Sequence, residues 1–101
     1  MTSHDVYEDH ALLYKMLATL HTPEEIAILL QDLCTVKEVE QMDQRIRSAV
    51  LLMEGKTYNQ VCEETGISTV TLSRVSRALQ HGEGYSRLLR NYIQSAKEDT
   101  Q

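Results

Sequence analysis

Apolar residues recur at helical spacing along nearly the whole chain. Tyr7, Leu13, Tyr14, Leu17 and Leu20 predict an opening helix from about residue 5 to residue 20, with Asp5 or a neighbour as its cap. Ile26, Leu29, Leu30 and Leu33 form the stripe of a second helix over 23–33. Val36, Val39, Met42, Ile46, Ala49, Val50 and Met53 form a third over 36–54, closed by Gly55 at a C′ position. Three starts carry a Thr followed three residues later by Glu or Gln, at Thr22–Glu25, Thr35–Glu38 and Thr57–Gln60. In such a box each side chain satisfies an amide that the first helical turn leaves unpaired. Pro23 stands at N1, where its fixed φ suits the helix and its missing donor does no harm.

From Tyr58 the pattern shortens to two helices separated by Gly66, the second opened by Ser68 or Thr69. This is a helix-turn-helix layout over about 57–80. Val61, Ile67, Leu72 and Val75 fall where the two helices face each other or the core, Cys62 is small where they cross, and Gly66 supplies a turn with positive φ. The second helix then presents Ser68, Thr69, Val70, Thr71, Ser73, Arg74 and Arg77, while Lys56 and Thr57 stand at the entrance to the pair. An inserted recognition helix offers its N-terminal side chains to base edges and its flanking groups to phosphates. Short hydroxyl side chains allow close approach, Val70 and the Thr methyls match a thymine methyl, and Arg74 or Arg77 reaches guanine or phosphate. The string STVTLS is a poor helix former, so helicity alone does not account for it.

The picture changes little with composition and more with charge. The chain has 101 residues, 42% of them apolar, with five Tyr, no Trp and no Phe, one Pro and four Gly. That fits one all-α domain spanning 1–101, built on aliphatic side chains, and excludes disorder over most of the length. The net charge of −5 taken alone argues against a nucleic-acid partner, but its distribution is uneven. Residues 1–44 carry nine acids against Lys15 and Lys37, whereas residues 45–92 carry seven bases against four acids. Between Gly66 and Gly82 stand two arginines and no acid. The apolar faces of the second and third helices exceed what a chain of this size readily hides; such surface is buried either in a core or across a subunit boundary, which the sequence does not separate, and a homodimer is the expectation taken. No apolar run approaches the length that spans a bilayer, and the first residues carry acids rather than a basic leader, so a cytoplasmic protein without membrane partners is expected.

The residues Leu51 to Tyr58, Glu64 to Arg77 and Gly82 to Tyr85 resemble the Trp repressor superfamily, in particular its TrpR-like YerC/YecD branch. The likeness covers about residues 22–92, with GKTY and SRVSR as its most specific strings. It implies an all-α fold of about six helices, an intertwined homodimer of the Trp repressor type, and a helix-turn-helix that binds operator DNA as a repressor. In the tryptophan-sensing members two arginines bracket the bound amino acid, and by alignment these fall on Arg45 and Arg74. The sensors follow the second arginine with Gly, which leaves room for the indole; this chain has Val75 there, and Asp32 and Cys34 replace leucines of the ligand wall. A branched side chain in the slot and a carboxylate near its wall both oppose tryptophan. An effector of another kind is left unspecified.

Other chemistry is sparse. His4, His10, His21 and His81 lack partners at metal-ligand spacing, and Cys34 and Cys62, with no CxxC, read as small buried residues rather than a disulfide or zinc pair. No phosphate loop, nucleophile elbow or HExxH is present, so neither a cofactor nor an enzyme is expected. Tyr58, Tyr85 and Tyr92 read as packed rings rather than base-stacking platforms. Arg87 and Arg90, on a last helix over about 84–97, are open between phosphates and acids as partners. Two function classes follow: a dimeric sequence-specific DNA-binding regulator, and a helical protein-interaction module that keeps the same scaffold without DNA. The acid-free window from Gly66 to Gly82 favours the first.

Overall fold

A computed structural model describes residues 7–99, and every element among them is helical. In chain order these are α1 (Ala11–Ala18), α2 (Pro23–Leu33), α3 (Val36–Met53), α4 (Tyr58–Thr65), α5 (Thr69–His81), a π-helical segment (Gly84–Leu89) and α6 (Arg90–Asp99). The chain divides into two compact units, residues 1–39 and 40–101, with the boundary inside α3.

In the first unit the expected helix over 5–20 is interrupted. Residues 7–9 are helical, but His10 takes φ −127°, outside the helical region, and α1 starts after it. Its neighbours pair by rings instead: Tyr7 stacks on Tyr14 at 6.1 Å, and His10 meets Tyr14 edge-on at 6.3 Å. Residues 5 and 6 of the expected span, the proposed Asp5 cap and His4 lie outside the described residues. The start of α2 follows the Thr22 and Pro23 reading, with Thr22 Oγ1 accepting the Glu25 amide at 3.1 Å. The return contact differs from the expected box. The Glu25 carboxylate accepts the His21 amide at 2.9 Å, one residue further out, across an extended Thr22. At the start of α3 the box is complete: Glu38 Oε1 accepts the Thr35 amide at 2.8 Å and Thr35 Oγ1 the Glu38 amide at 3.1 Å. These contacts hold the Glu38 carboxyl below its usual pKa, because the Thr35 backbone and hydroxyl favour the anion. No residue from 7 to 39 is buried, and Leu12, Ile28, Leu33 and Val36 stand open to solvent. Cys34 is half-buried at the C-terminal cap of α2 rather than enclosed.

The second unit holds the buried core. Ala49 from α3, Val61 from α4, Ile67 from the turn, and Leu72 and Val75 from α5 are each 3% exposed or less. Leu51, Leu52, Cys62, Tyr85 and Leu89 pack around them, with Cys62 half-buried rather than fully enclosed. The chain leaves α3 through Gly55 at φ 90°, a left-handed conformation that favours a residue without Cβ. After α5 a different constraint applies. A Cβ on Gly82 would stand 2.9 Å from the carbonyl oxygen of Ala78, so only the bare backbone fits the exit of the helix. The single helix expected over 84–97 begins instead as the π-helical segment, which places Tyr85 and Leu89 against the core and leaves Leu88 outside.

Candidate nucleic-acid interface

The helix-turn-helix is built from local contacts that the sequence dictates. Thr57 Oγ1 accepts the Gln60 amide at 3.2 Å, and Gln60 Oε1 accepts the Thr57 amide at 2.8 Å, which fixes the start of α4. α4 ends at Gly66, whose φ of 76° turns the chain and whose amide donates to the Cys62 carbonyl at 2.9 Å. Two residues later Ser68 caps α5, its Oγ accepting the Thr71 amide at 3.2 Å.

A polar link then fastens the turn to α3. The Thr65 hydroxyl donates to the Val61 carbonyl at 2.8 Å and accepts from the Ile67 amide at 3.2 Å and from Ser48 Oγ at 3.3 Å. One helical turn before Ser48, the Gln44 amide nitrogen donates to the Thr65 carbonyl at 2.9 Å. Ser48 is fully buried, so its hydroxyl depends on that one acceptor. Sequence reasoning passed over Gln44, Ser48 and Thr65 as positioning residues. The available signal was a Thr directly before the turn glycine, where a hydroxyl can close both the helix end and the turn.

With Leu72 and Val75 turned into the core, the opposite face of α5 is set by 3.6-residue periodicity. Val70, Ser73, Arg74 and Arg77, at i, i+3, i+4 and i+7, form one exposed stripe, and Thr69 is exposed beside its start. Neither Arg74 nor Arg77 forms an ion pair among the described residues. The contrast is with Arg47, held by Asp43 at 2.9 Å, and Arg87, held by Glu83 at 3.7 Å. Arg90 also turns inward on its own helix, donating to the Ser86 carbonyl at 3.2 Å. Thus the acid-free window leaves its two guanidinium groups available, while acids engage arginines on either side of it.

Three of the expected contact residues, Thr57, Ser68 and Thr71, also take part in helix starts. Thr71 is half-buried, on the flank of α5 rather than its outer stripe, and its hydroxyl accepts from Ser68 Oγ at 3.0 Å. The Ser68 hydroxyl thus both donates and accepts within the cap while Ser68 itself stays exposed, and the Thr71 hydroxyl keeps its own proton. Thr57 is exposed and closes its own box, and Lys56 is exposed and carries no ion pair among the described residues. Tyr85 packs its ring against the core as expected, while Tyr58 and Tyr92 are exposed.

Of the residues aligned with an amino-acid site, Arg45 on α3 and Arg74 on α5 are both exposed, and Val75 directs its side chain into the core. Cavities of about 360 and 300 Å³ open along α3, one toward Arg90 and Ile93 and the other toward Glu64 and Thr65; neither is lined by Arg45, Arg74 or Val75.

Comparison with known proteins agrees with this architecture. The pattern of the Trp repressor protein family matches residues 8–93. The uncharacterized protein YerC of Bacillus subtilis (strain 168) is 41% identical over 70 residues, covering 69% of this chain and 67% of that one. A crystal structure of a candidate Trp repressor from Staphylococcus aureus superposes with a TM-score of 0.82 at 34% identity, over 92% of this chain and 95% of that one. A TrpR-like protein from Eubacterium eligens ATCC 27750 gives a TM-score of 0.79 at 34% identity, over 84% and 89%.

Proposed function

The chain belongs to the Trp repressor protein family, whose members are regulators rather than enzymes, and from that premise we propose that it is a cytoplasmic repressor binding a palindromic operator as a homodimer. The helix-turn-helix inserts α5 in the major groove, and the whole chain acts as one DNA-binding domain. The observation that carries this reading is the outer stripe of α5, where two arginines without an ion pair among the described residues follow a short, uncharged first turn in a stretch free of acids. Phosphate and base edges are the partners that such a face suits, since the major groove is walled by anions and lined by acceptors. Arg74 and Ser73 read bases beside Val70 and Thr69. Arg77 and Lys56 hold the backbone that flanks them, with Thr57, Ser68 and Thr71 fixing the helices that carry these groups.

The homodimer is supported by the open apolar residues of α1 and α2 and the start of α3, Leu12, Ile28, Leu33 and Val36 among them. A two-fold pair of recognition helices reads two half-sites about one helical turn apart, which makes the operator palindromic. The described residues contain no helix long and apolar enough to cross a membrane.

Selection from a random-sequence duplex pool tests the proposal. The expected product is a palindromic family of sites bound more tightly than scrambled duplex. Arg74→Ala should cost roughly 1–3 kcal/mol on the selected site and little on scrambled DNA, whereas Lys56→Ala should weaken both alike. An unselected pool, with the protein instead recovered only on other proteins, would assign the scaffold to protein interaction.

A further inference from the structure

We infer that α5 reads a 5-methyl group on a pyrimidine, thymine in ordinary DNA, through the side chain of Val70; the inference rests on the duplex-binding reading above and names the base its first turn selects. Val70 is 74% exposed, and its isopropyl group belongs to the outward stripe with Ser73, Arg74 and Arg77. A β-branched residue on a solvated helix is less favourable than most, and here no core contact compensates for it.

The surroundings leave Val70 as the apolar tip of the helix. Ser68 spends its hydroxyl proton on Thr71 Oγ1 and accepts the Thr71 amide, and Thr71 lies half-buried on the flank of the helix, away from the outward stripe. Val70 itself has no donor or acceptor. Set against guanine O6 and N7, adenine N7 or the cytosine amino group, it would strip water from a polar edge and return no hydrogen bond. The thymine methyl is the one major-groove feature that gains from this contact. Attraction and exclusion therefore act in the same direction. With a rise of about 1.5 Å per residue, Arg74 and Arg77 stand roughly 6 and 10 Å further along the axis than Val70.

The test uses the full chain and duplexes selected from a random pool. Each thymine of the selected half-site is replaced in turn by deoxyuridine, which removes the methyl and nothing else. One position per half-site should lose roughly fourfold in affinity, the effect of withdrawing one buried methyl. At that position 5-methylcytosine opposite guanine should bind better than cytosine opposite guanine. In Val70→Ala the preference for thymine over deoxyuridine should vanish, and the exposed site with its better helix former keeps the fold intact. Indifference to deoxyuridine at every position would overturn the inference while leaving duplex binding standing. A thymine preference that survives in Val70→Ala and disappears in Thr69→Ser would overturn it too, by giving the contact to Thr69. Failure to select any duplex would overturn both this inference and the reading beneath it.

Discussion

Replacing Thr65 with Val keeps the shape of the side chain and removes one oxygen on which three groups converge. The Ser48 hydroxyl, fully buried, loses its acceptor, and the amide of the nearly buried Ile67 loses its partner as well. An unsatisfied buried group costs about 1–3 kcal/mol, so the substitution should destabilise the protein by about 2–4 kcal/mol. Set against a total of about 5–15 kcal/mol for a chain of this length, that is a large fraction. The Gln44 contact is made to the Thr65 main-chain carbonyl and survives, so the turn should keep its position while losing stability. The diagnostic experiment is a double-mutant cycle with Ser48→Ala, followed by circular dichroism during urea denaturation at one fixed protein concentration. Because Ser48→Ala deletes the donor that Thr65→Val strands, the double variant should be more stable than the sum of the single losses predicts, by about 1 kcal/mol or more. Strictly additive losses, or a Thr65→Val cost below about 0.5 kcal/mol, would refute the assignment of Thr65 as the hub of this link.

Further outcomes follow from other parts of the chain. Sedimentation equilibrium at micromolar concentration should give about twice 11.6 kDa; a monomer at every concentration would remove both the dimer and the palindromic operator. Calorimetry with millimolar tryptophan should show no saturable heat and no tightening of operator binding, since the Val75 side chain stands where the sensors keep Gly and neither cavity along α3 is lined by Arg45 or Arg74; a dissociation constant below about 1 mM would reverse that reading. The Glu38 carboxyl, lowered in the folded state by Thr35, contributes stability that is present above its unfolded pKa and lost as pH falls through the folded value. Glu38→Gln keeps an oxygen for the Thr35 amide, so acid titration of its stability should lack that component, and an unchanged acid profile would show that the box contributes none.

What could be read from the sequence divides along physical lines. Helix starts were legible because a cap is a contact among four consecutive residues, and Thr22, Thr35 and Thr57 each begin a helix within a residue of the expected place. The core side of the helix-turn-helix was legible for a related reason: Val61, Ile67, Leu72 and Val75 follow the helical period and are buried. The π-helical segment was not, because Tyr85 and Leu89 share a face in either kind of helix and only the hydrogen-bond register separates them. The break at His10 likewise lies in a backbone angle that no apolar pattern records. Nor did the pattern separate Thr71 from its neighbours, since whether a hydroxyl faces out or closes a cap depends on the residue opposite it, here Ser68. Ser48 and Gln44 looked like polar surface because their partner comes about twenty residues later, beyond any local window.

The unpaired state of Arg74 and Arg77 bears on how such a protein finds one site among very many. An arginine already held by a carboxylate must give up that contact before it meets a phosphate, whereas these two have no such competitor among the described residues. The chain as a whole nevertheless carries −5, so a duplex repels it until the gap closes to about the screening length of roughly 8 Å at physiological salt. Attraction is thus confined to poses that bring α5 itself against the groove. On the proposed docking, random collisions with bulk DNA would be shed quickly, and the free pool of protein would stay high despite the great excess of wrong sequence. Selectivity in that arrangement would come as much from weak holding everywhere else as from strong holding at the operator.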